Sequence, residues 1–140
     1  MEGTGVNLKV IRMDTKRNTS DDFKKKAALK AKAEIEAFKP DVVSAADDNA
    51  SKFLVEPYYK NAQLPFVFCG VNWDAAVYGY PYRNATGMVE VTPIPQIIDQ
   101  LKPYARGSRL GMIAPDILTA KKEAANYKSI FGYDVVTYYA

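Results

Sequence analysis

Histidine is absent from this chain, and cysteine occurs only once, at position 69. Without histidine the chain lacks the commonest general base, the Ser-His-Asp triad and the usual metal ligand. A single cysteine excludes an internal disulfide and a zinc site built from cysteines, and Cys69 itself fits a buried strand. These absences favour a protein that is not an enzyme and holds neither a metal nor a cofactor.

The chain also lacks long apolar runs and a strong charge of one sign. No run is long enough to cross a bilayer, and the amino terminus has no signal-peptide pattern, so we expect no membrane insertion by this segment. The net charge of +3, from 19 basic and 16 acidic residues, is too small to indicate nucleic acid as a partner. The apolar fraction of 48% and the length of 140 residues suit one ordinary domain or two small half-domains.

Strand and helix patterns alternate along the chain. Short apolar runs predict strands over residues 7–13, 41–46, 64–69, 87–91, 109–114 and 133–139. Helical periodicity and strong helix formers predict helices over 21–38, capped by Thr19 or Ser20, and over 50–60, 94–104 and 119–131. This alternation predicts an α/β fold with Rossmann-like parallel sheets and helices on both faces.

Three of the predicted strand ends carry polar residues, and ligands of open parallel sheets bind at such ends. The residues are Asp47-Asp48-Asn49, Gly70-Val71-Asn72-Trp73 and Asp116. A carboxylate in the first group can bind a ligand's ammonium or hydroxyl, and the N–H groups of the following helix can bind an anion. Helix capping is the alternative role for this group, alone or together with ligand contact.

The second strand end has two open interpretations. Gly70 permits close backbone approach, Asn72 offers a donor and an acceptor, and Trp73 can stack on a ring of a ligand. Alternatively, Trp73 packs in the core and Gly70 serves a turn. The tyrosines at 78, 80 and 82 are likewise either a ligand-facing aromatic patch or a loop that packs its own rings.

Several ordered segments resemble the ABC-transporter substrate-binding protein family, in the branch related to tryptophan and tyrosine uptake binding proteins. They are KPDVV at 39–43, DDNA at 47–50, PFVFCGVN at 65–72, NATG at 84–87, RLGMI at 109–113 and LTAKKEA at 118–124. No single segment is specific, but the ordered set covers nearly the whole chain.

This resemblance implies a type I periplasmic binding protein fold, in which two lobes close around a ligand by a hinge motion. Residues 1–87 would be a partial first lobe without its first strand and helix, and residues 88–140 the start of the second lobe. Since family members are longer, we expect a fragment. The implied function is the solute-binding component of an ABC importer, with an aromatic or other amino acid as ligand. The implied partner is an ABC permease, and the implied location is periplasmic or that of an extracytoplasmic lipoprotein.

Two other functions use the same fold features. A ligand-sensing domain of a membrane-bound signalling protein can share the fold. A flavodoxin-like or nucleotide-binding enzyme would use Asp47 or Asp48 as an acid or a metal ligand. No phosphate loop, histidine or carboxylate–nucleophile pair supports this enzyme.

Overall fold

The computed structural model describes residues 5–139. Its helices are α1 (Asp21–Phe38), α2 (Asp48–Ala50), α3 (Glu56–Tyr59), α4 (Ile94–Leu101) and α5 (Leu118–Ser129). A π-helical stretch, Ser51–Val55, joins α2 to α3, and short 3₁₀ turns cover Ala76–Tyr78 and Lys102–Tyr104. The strands are β1 (Val43–Ala46), β2 (Phe66–Asn72), β3 (Ala85–Glu90), β4 (Leu110–Ala114) and β5 (Val135–Tyr139).

All strand pairs in the described chain are parallel and form two small sheets. The first sheet has the order β1-β2-β3, and β4 pairs with β5 in the second. The helical segment 48–59 connects β1 to β2 and α5 connects β4 to β5, whereas a loop with one 3₁₀ turn connects β2 to β3. The predicted mixed α/β architecture with parallel strands flanked by helices is confirmed.

Helix α1 shows how local sequence sets an element's ends. The Ser20 hydroxyl accepts a hydrogen bond from the Phe23 N–H at 3.3 Å, which caps the helix as predicted. The helix ends at Lys39, which has a left-handed φ of 51°. Pro40 follows, and the residue before a proline disfavours helical backbone. The buried residues of α1 pack into the core that also holds the π-helical stretch.

The strand predicted over residues 7–13 is wrong. This segment has no regular structure and no strand beside it, so its backbone groups have no ladder to join. Ile11 and Met13 pack against the core instead, and the Lys9 ammonium binds the Glu34 carboxylate of α1 at 2.5 Å. The apolar side chains of Val6 and Val10 remain exposed.

The expectation of helices on both faces is also wrong for the first sheet within residues 5–139. Phe66 and Phe68 point to a face that is buried in the core with the helical segment 48–59. Ser44, Val67 and Thr86, which are register partners on the opposite face, are exposed. Among the described residues, the first sheet therefore packs against the hydrophobic core on one face only.

Strands β2 and β3 approach each other unusually closely at Gly87. A Cβ added at Gly87 would lie 2.6 Å from Cγ of Phe68 and 2.7 Å from its carbonyl carbon. Since the Phe68 backbone is fixed by pairing on both sides, it has no room to shift.

Substitution of Gly87 by alanine is therefore expected to lower the free energy of unfolding by about 1–3 kcal/mol, the usual cost of overpacking. Urea unfolding followed by tryptophan fluorescence measures this loss. Gly107→Ala is the matched control, because nothing lies within 4 Å of a Cβ added there. The control should change stability by less than about 0.5 kcal/mol. Equal unfolding midpoints for the two variants would contradict the close approach.

Candidate functional site

The carboxyl ends of β1 and β2 meet through backbone contacts. Strand β2 is longer than predicted, so Gly70, Val71 and Asn72 belong to the strand and do not follow it. The Asp47 N–H donates to the Cys69 carbonyl at 2.9 Å. Gly70 has a φ of 62°, and a Cβ added there would lie 3.5 Å from the Asp47 nitrogen. Gly70 does permit a close backbone approach, and the backbone that approaches it is that of Asp47, at the end of β1.

Asp48 is the centre of the hydrogen bonds at these strand ends, and its side chain is fully buried. Its Oδ2 accepts a hydrogen bond from Asn72 Nδ2 at 2.7 Å. Its Oδ1 accepts from the Tyr78 hydroxyl at 2.7 Å and from the Lys122 ammonium at 2.6 Å. We call these four residues the Asp48 centre. They bring together two strand ends, α5, and the loop that carries Tyr78, Tyr80 and Tyr82, which we call the tyrosine loop.

Helix α5 contributes two side chains that contact the first sheet's strand ends. Lys122 also donates to the Asn72 carbonyl at 3.2 Å and lies 4.7 Å from the centroid of the Tyr78 ring. Next to it, Glu123 accepts a hydrogen bond from the Trp73 indole N–H at 2.6 Å. The Trp73 ring further packs edge-on against Phe131 at 6.0 Å. Helix α5, which connects the two strands of the second sheet, therefore contacts the strand ends of the first sheet at the predicted site.

The donors around Asp48 decide its charge. Burial alone would raise its pKa, but the hydrogen bonds from Lys122, Asn72 and Tyr78 outweigh burial and hold the pKa below its ordinary value. Burial and the hydrogen bond to Asp48 raise the pKa of Tyr78 far above its ordinary range. Asp48 is therefore ionised and Tyr78 is neutral at neutral pH.

Asp47 and Asn49 flank the centre with incompletely satisfied oxygens. Oδ2 of Asp47 binds the Lys16 ammonium at 2.6 Å, and this hydrogen bond raises the pKa of Lys16. Oδ1 of Asp47 and Oδ1 of Asn49 are buried and have no hydrogen-bond partner among residues 5–139. Asp47 has a φ of 84° and Trp73 a φ of 65°, so two non-glycine residues beside the centre adopt left-handed backbone.

Two other predicted site residues lie apart from the centre. The Val71 side chain is fully buried and belongs to the hydrophobic core, so it offers no polar group to a ligand. Asp116 is exposed and forms an ion pair with Lys121. Within residues 5–139, Asp116 forms no hydrogen bond or ion pair with the other predicted site residues.

The tyrosine loop packs its own rings, which was one of the two interpretations. Tyr78, Tyr80 and Tyr82 are all buried, and the ring of Tyr80 stacks on Phe68 at 4.2 Å. Burial raises the pKa of Tyr82 to about 12. The Tyr78 ring is buried in the core, and its hydroxyl donates to Asp48.

Two surface cavities lie elsewhere. One of about 520 Å³ lies between residues 9–14 and α1, and one of about 500 Å³ lies near the start of β2. Neither is lined by a residue of the Asp48 centre. Within residues 5–139, no three acidic or cysteine side chains are grouped so that they could hold a metal ion. No helix in that range combines the length and apolarity needed to cross a membrane.

Lys122, Glu123 and Lys16 were not predicted as site residues. The available signal for the first two was position, since residues that open a helix after a parallel strand lie at the same edge as the strand ends. The residues that they contact could not be predicted, because the local sequence of each sheet does not determine how the two sheets are oriented.

No family model, curated relative or solved structure matches the chain.

Asp48→Asn is expected to lower the free energy of unfolding at pH 7 by about 3 kcal/mol, the lower end of the cost of breaking a buried ion pair. The folded pKa of Asp48 lies below the ordinary 3.8. Its contribution to stability is therefore complete above about pH 3.8 and is lost as the pH falls through the folded pKa.

Urea unfolding of both proteins between pH 7 and pH 2.5 tests this expectation. The difference in stability between the original chain and the variant should be constant near neutrality and should shrink below about pH 3.8. A difference that does not depend on pH would show that Asp48 carries no depressed pKa.

Proposed function

We propose that this chain is part of the solute-binding component of an ABC importer, which binds a small amino-acid-like molecule without catalysis. The supporting observation is the buried, ionised Asp48 at the strand ends of the first sheet, where helix α5 of the second sheet contacts it. Sites between α/β units and beyond strand ends are where such folds bind small molecules.

The chemistry of the Asp48 centre favours binding over catalysis. A general acid or base at neutral pH needs a pKa near 7, whereas the hydrogen bonds around Asp48 move its pKa away from that range. Asn72 and Tyr78 each donate a hydrogen bond to a different oxygen of the carboxylate. A pre-organised carboxylate of this kind recognises a cationic or hydroxyl-bearing group.

Two small sheets joined by residues 91–93 supply the geometry that such a binding protein would use. The segment connects β3 to α4, and α5 returns Lys122 and Glu123 to the end of β2. Opening at the connection would separate α5 from Asp48 and admit a ligand, as in hinge closure. The type I periplasmic fold, the permease partner and the extracytoplasmic location rest on the resemblance of the ordered segments described above.

Calorimetric titration of the chain with the standard amino acids tests the function. We expect heat with at least one amino acid, together with a change in the fluorescence of Trp73, which is the single tryptophan. Asp48→Asn should weaken that binding at least about tenfold, since a hydrogen bond to a charged group contributes about 1.5–3 kcal/mol.

Asp99→Asn is the matched control, because Asp99 is an exposed carboxylate of α4 that pairs with Lys102 and lies outside the Asp48 centre. It should bind as the original chain does. Absence of heat and of a fluorescence change with every amino acid would overturn the amino-acid ligand.

A further inference from the structure

We infer that Asp48, Asn72 and Tyr78 of the Asp48 centre form a subsite for a primary ammonium group and that Lys122 occupies this subsite as a built-in competitor of the ligand. This inference rests on the proposed function and names the chemical class of ligand, a small molecule with an unhindered primary amine.

The surroundings of the Lys122 nitrogen are those of a complete ammonium site. The nitrogen lies 2.6 Å from Oδ1 of Asp48 and 3.2 Å from the Asn72 carbonyl oxygen. The Tyr78 ring centroid is 4.7 Å away, within the range of a cation–π contact. A carboxylate, a carbonyl and an aromatic face together satisfy a group with three N–H donors and no acceptor.

The receptor groups are assembled without Lys122. Asp48 begins α2 after β1, Asn72 ends β2, and Tyr78 lies in the loop between β2 and β3, whereas Lys122 comes from α5, between β4 and β5. Asn72 Nδ2 and the Tyr78 hydroxyl fix the Asp48 carboxylate by their own hydrogen bonds. If α5 moved away, a pre-organised anionic subsite would remain and would need another cation.

The hydrogen bonds at Asp48 also select the type of cation. Oδ2 already accepts from the side chain and the backbone N–H of Asn72, at 2.7 and 3.4 Å. The cation therefore binds through Oδ1, which also accepts from Tyr78, and a single oxygen does not suit a guanidinium that binds carboxylates through two parallel hydrogen bonds. A quaternary ammonium has no N–H to donate to the Asn72 carbonyl. A primary ammonium fits all three contacts.

Lys122 can leave the subsite because its ammonium is carried on a long flexible stem and its side chain keeps 18% of its exposure. A ligand ammonium that replaces it would make the same contacts and would keep Asp48 neutralised. The ligand can bind only molecules in which Lys122 has left the subsite. Its apparent affinity is therefore the intrinsic affinity multiplied by the fraction of such molecules. If Lys122 fills the subsite at least nine times in ten, removing it should strengthen binding at least about tenfold.

The test uses Lys122→Met, which preserves side-chain length without the charge, and n-butylammonium chloride, which reproduces the end of a lysine side chain. We expect the variant to bind n-butylammonium at least about tenfold more tightly than the original chain, as measured by calorimetry and Trp73 fluorescence at constant ionic strength. Guanidinium and tetramethylammonium at the same concentrations should not bind. Lys121→Met is the control, because Lys121 pairs with the exposed Asp116.

Thermal melting covers the case in which Lys122→Met is unstable. N-butylammonium should then raise the melting temperature of this variant above that seen in sodium chloride, and should not do so for Lys121→Met. Equal affinity of Lys122→Met and the original chain, or no thermal rescue of an unstable variant, would overturn the inference.

The outcomes separate this inference from the proposed function. Amino-acid binding by the original chain with no gain in Lys122→Met would leave the proposed function standing and remove the ammonium subsite. Binding of n-butylammonium by Lys122→Met, with no amino acid bound by either protein, would support the subsite and overturn the amino-acid function.

Discussion

A buried carboxylate must be compensated by donors, and the Asp48 centre depends on this constraint. Moving an ion out of water costs several kcal/mol even after the protein relaxes. Asp48 is fully buried, and three side chains from β2, the tyrosine loop and α5 supply the compensation. The two strand ends, the tyrosine loop and α5 are thereby held together at one carboxylate.

The same constraint bears on function. Because Asp48 is held ionised by fixed donors, the site is suited to cation recognition and poorly suited to proton transfer at neutral pH. Lys122 satisfies the carboxylate in the structure, so a ligand must offer an equivalent cation to replace it. The proposed ammonium subsite depends on this exchange, whereas the proposed transport function also depends on the sequence resemblance.

The sequence predicted local features well and long-range partners poorly. Ser20 as a helix cap, the parallel strands and the polar strand ends were predictable, because each depends on a few neighbouring residues. Asp48 and Asn72 were identified for the same reason, since polar residues at strand ends of such a sheet are unusual. Lys122 was missed because its partner is 74 positions away, and Val71 was assigned to the site although it belongs to the core. The strand over 7–13 failed because a strand needs a neighbour that its own sequence does not reveal.

A double-mutant cycle between Asp48→Asn and Lys122→Met tests the central claim most directly. The free energies of unfolding of the original chain, both single variants and the double variant give the coupling between the two side chains. We predict a coupling of about 1–3 kcal/mol, as found for side chains in one buried network. Additive effects, within about 0.5 kcal/mol, would contradict the account, because Lys122 would then not be the cation that compensates Asp48.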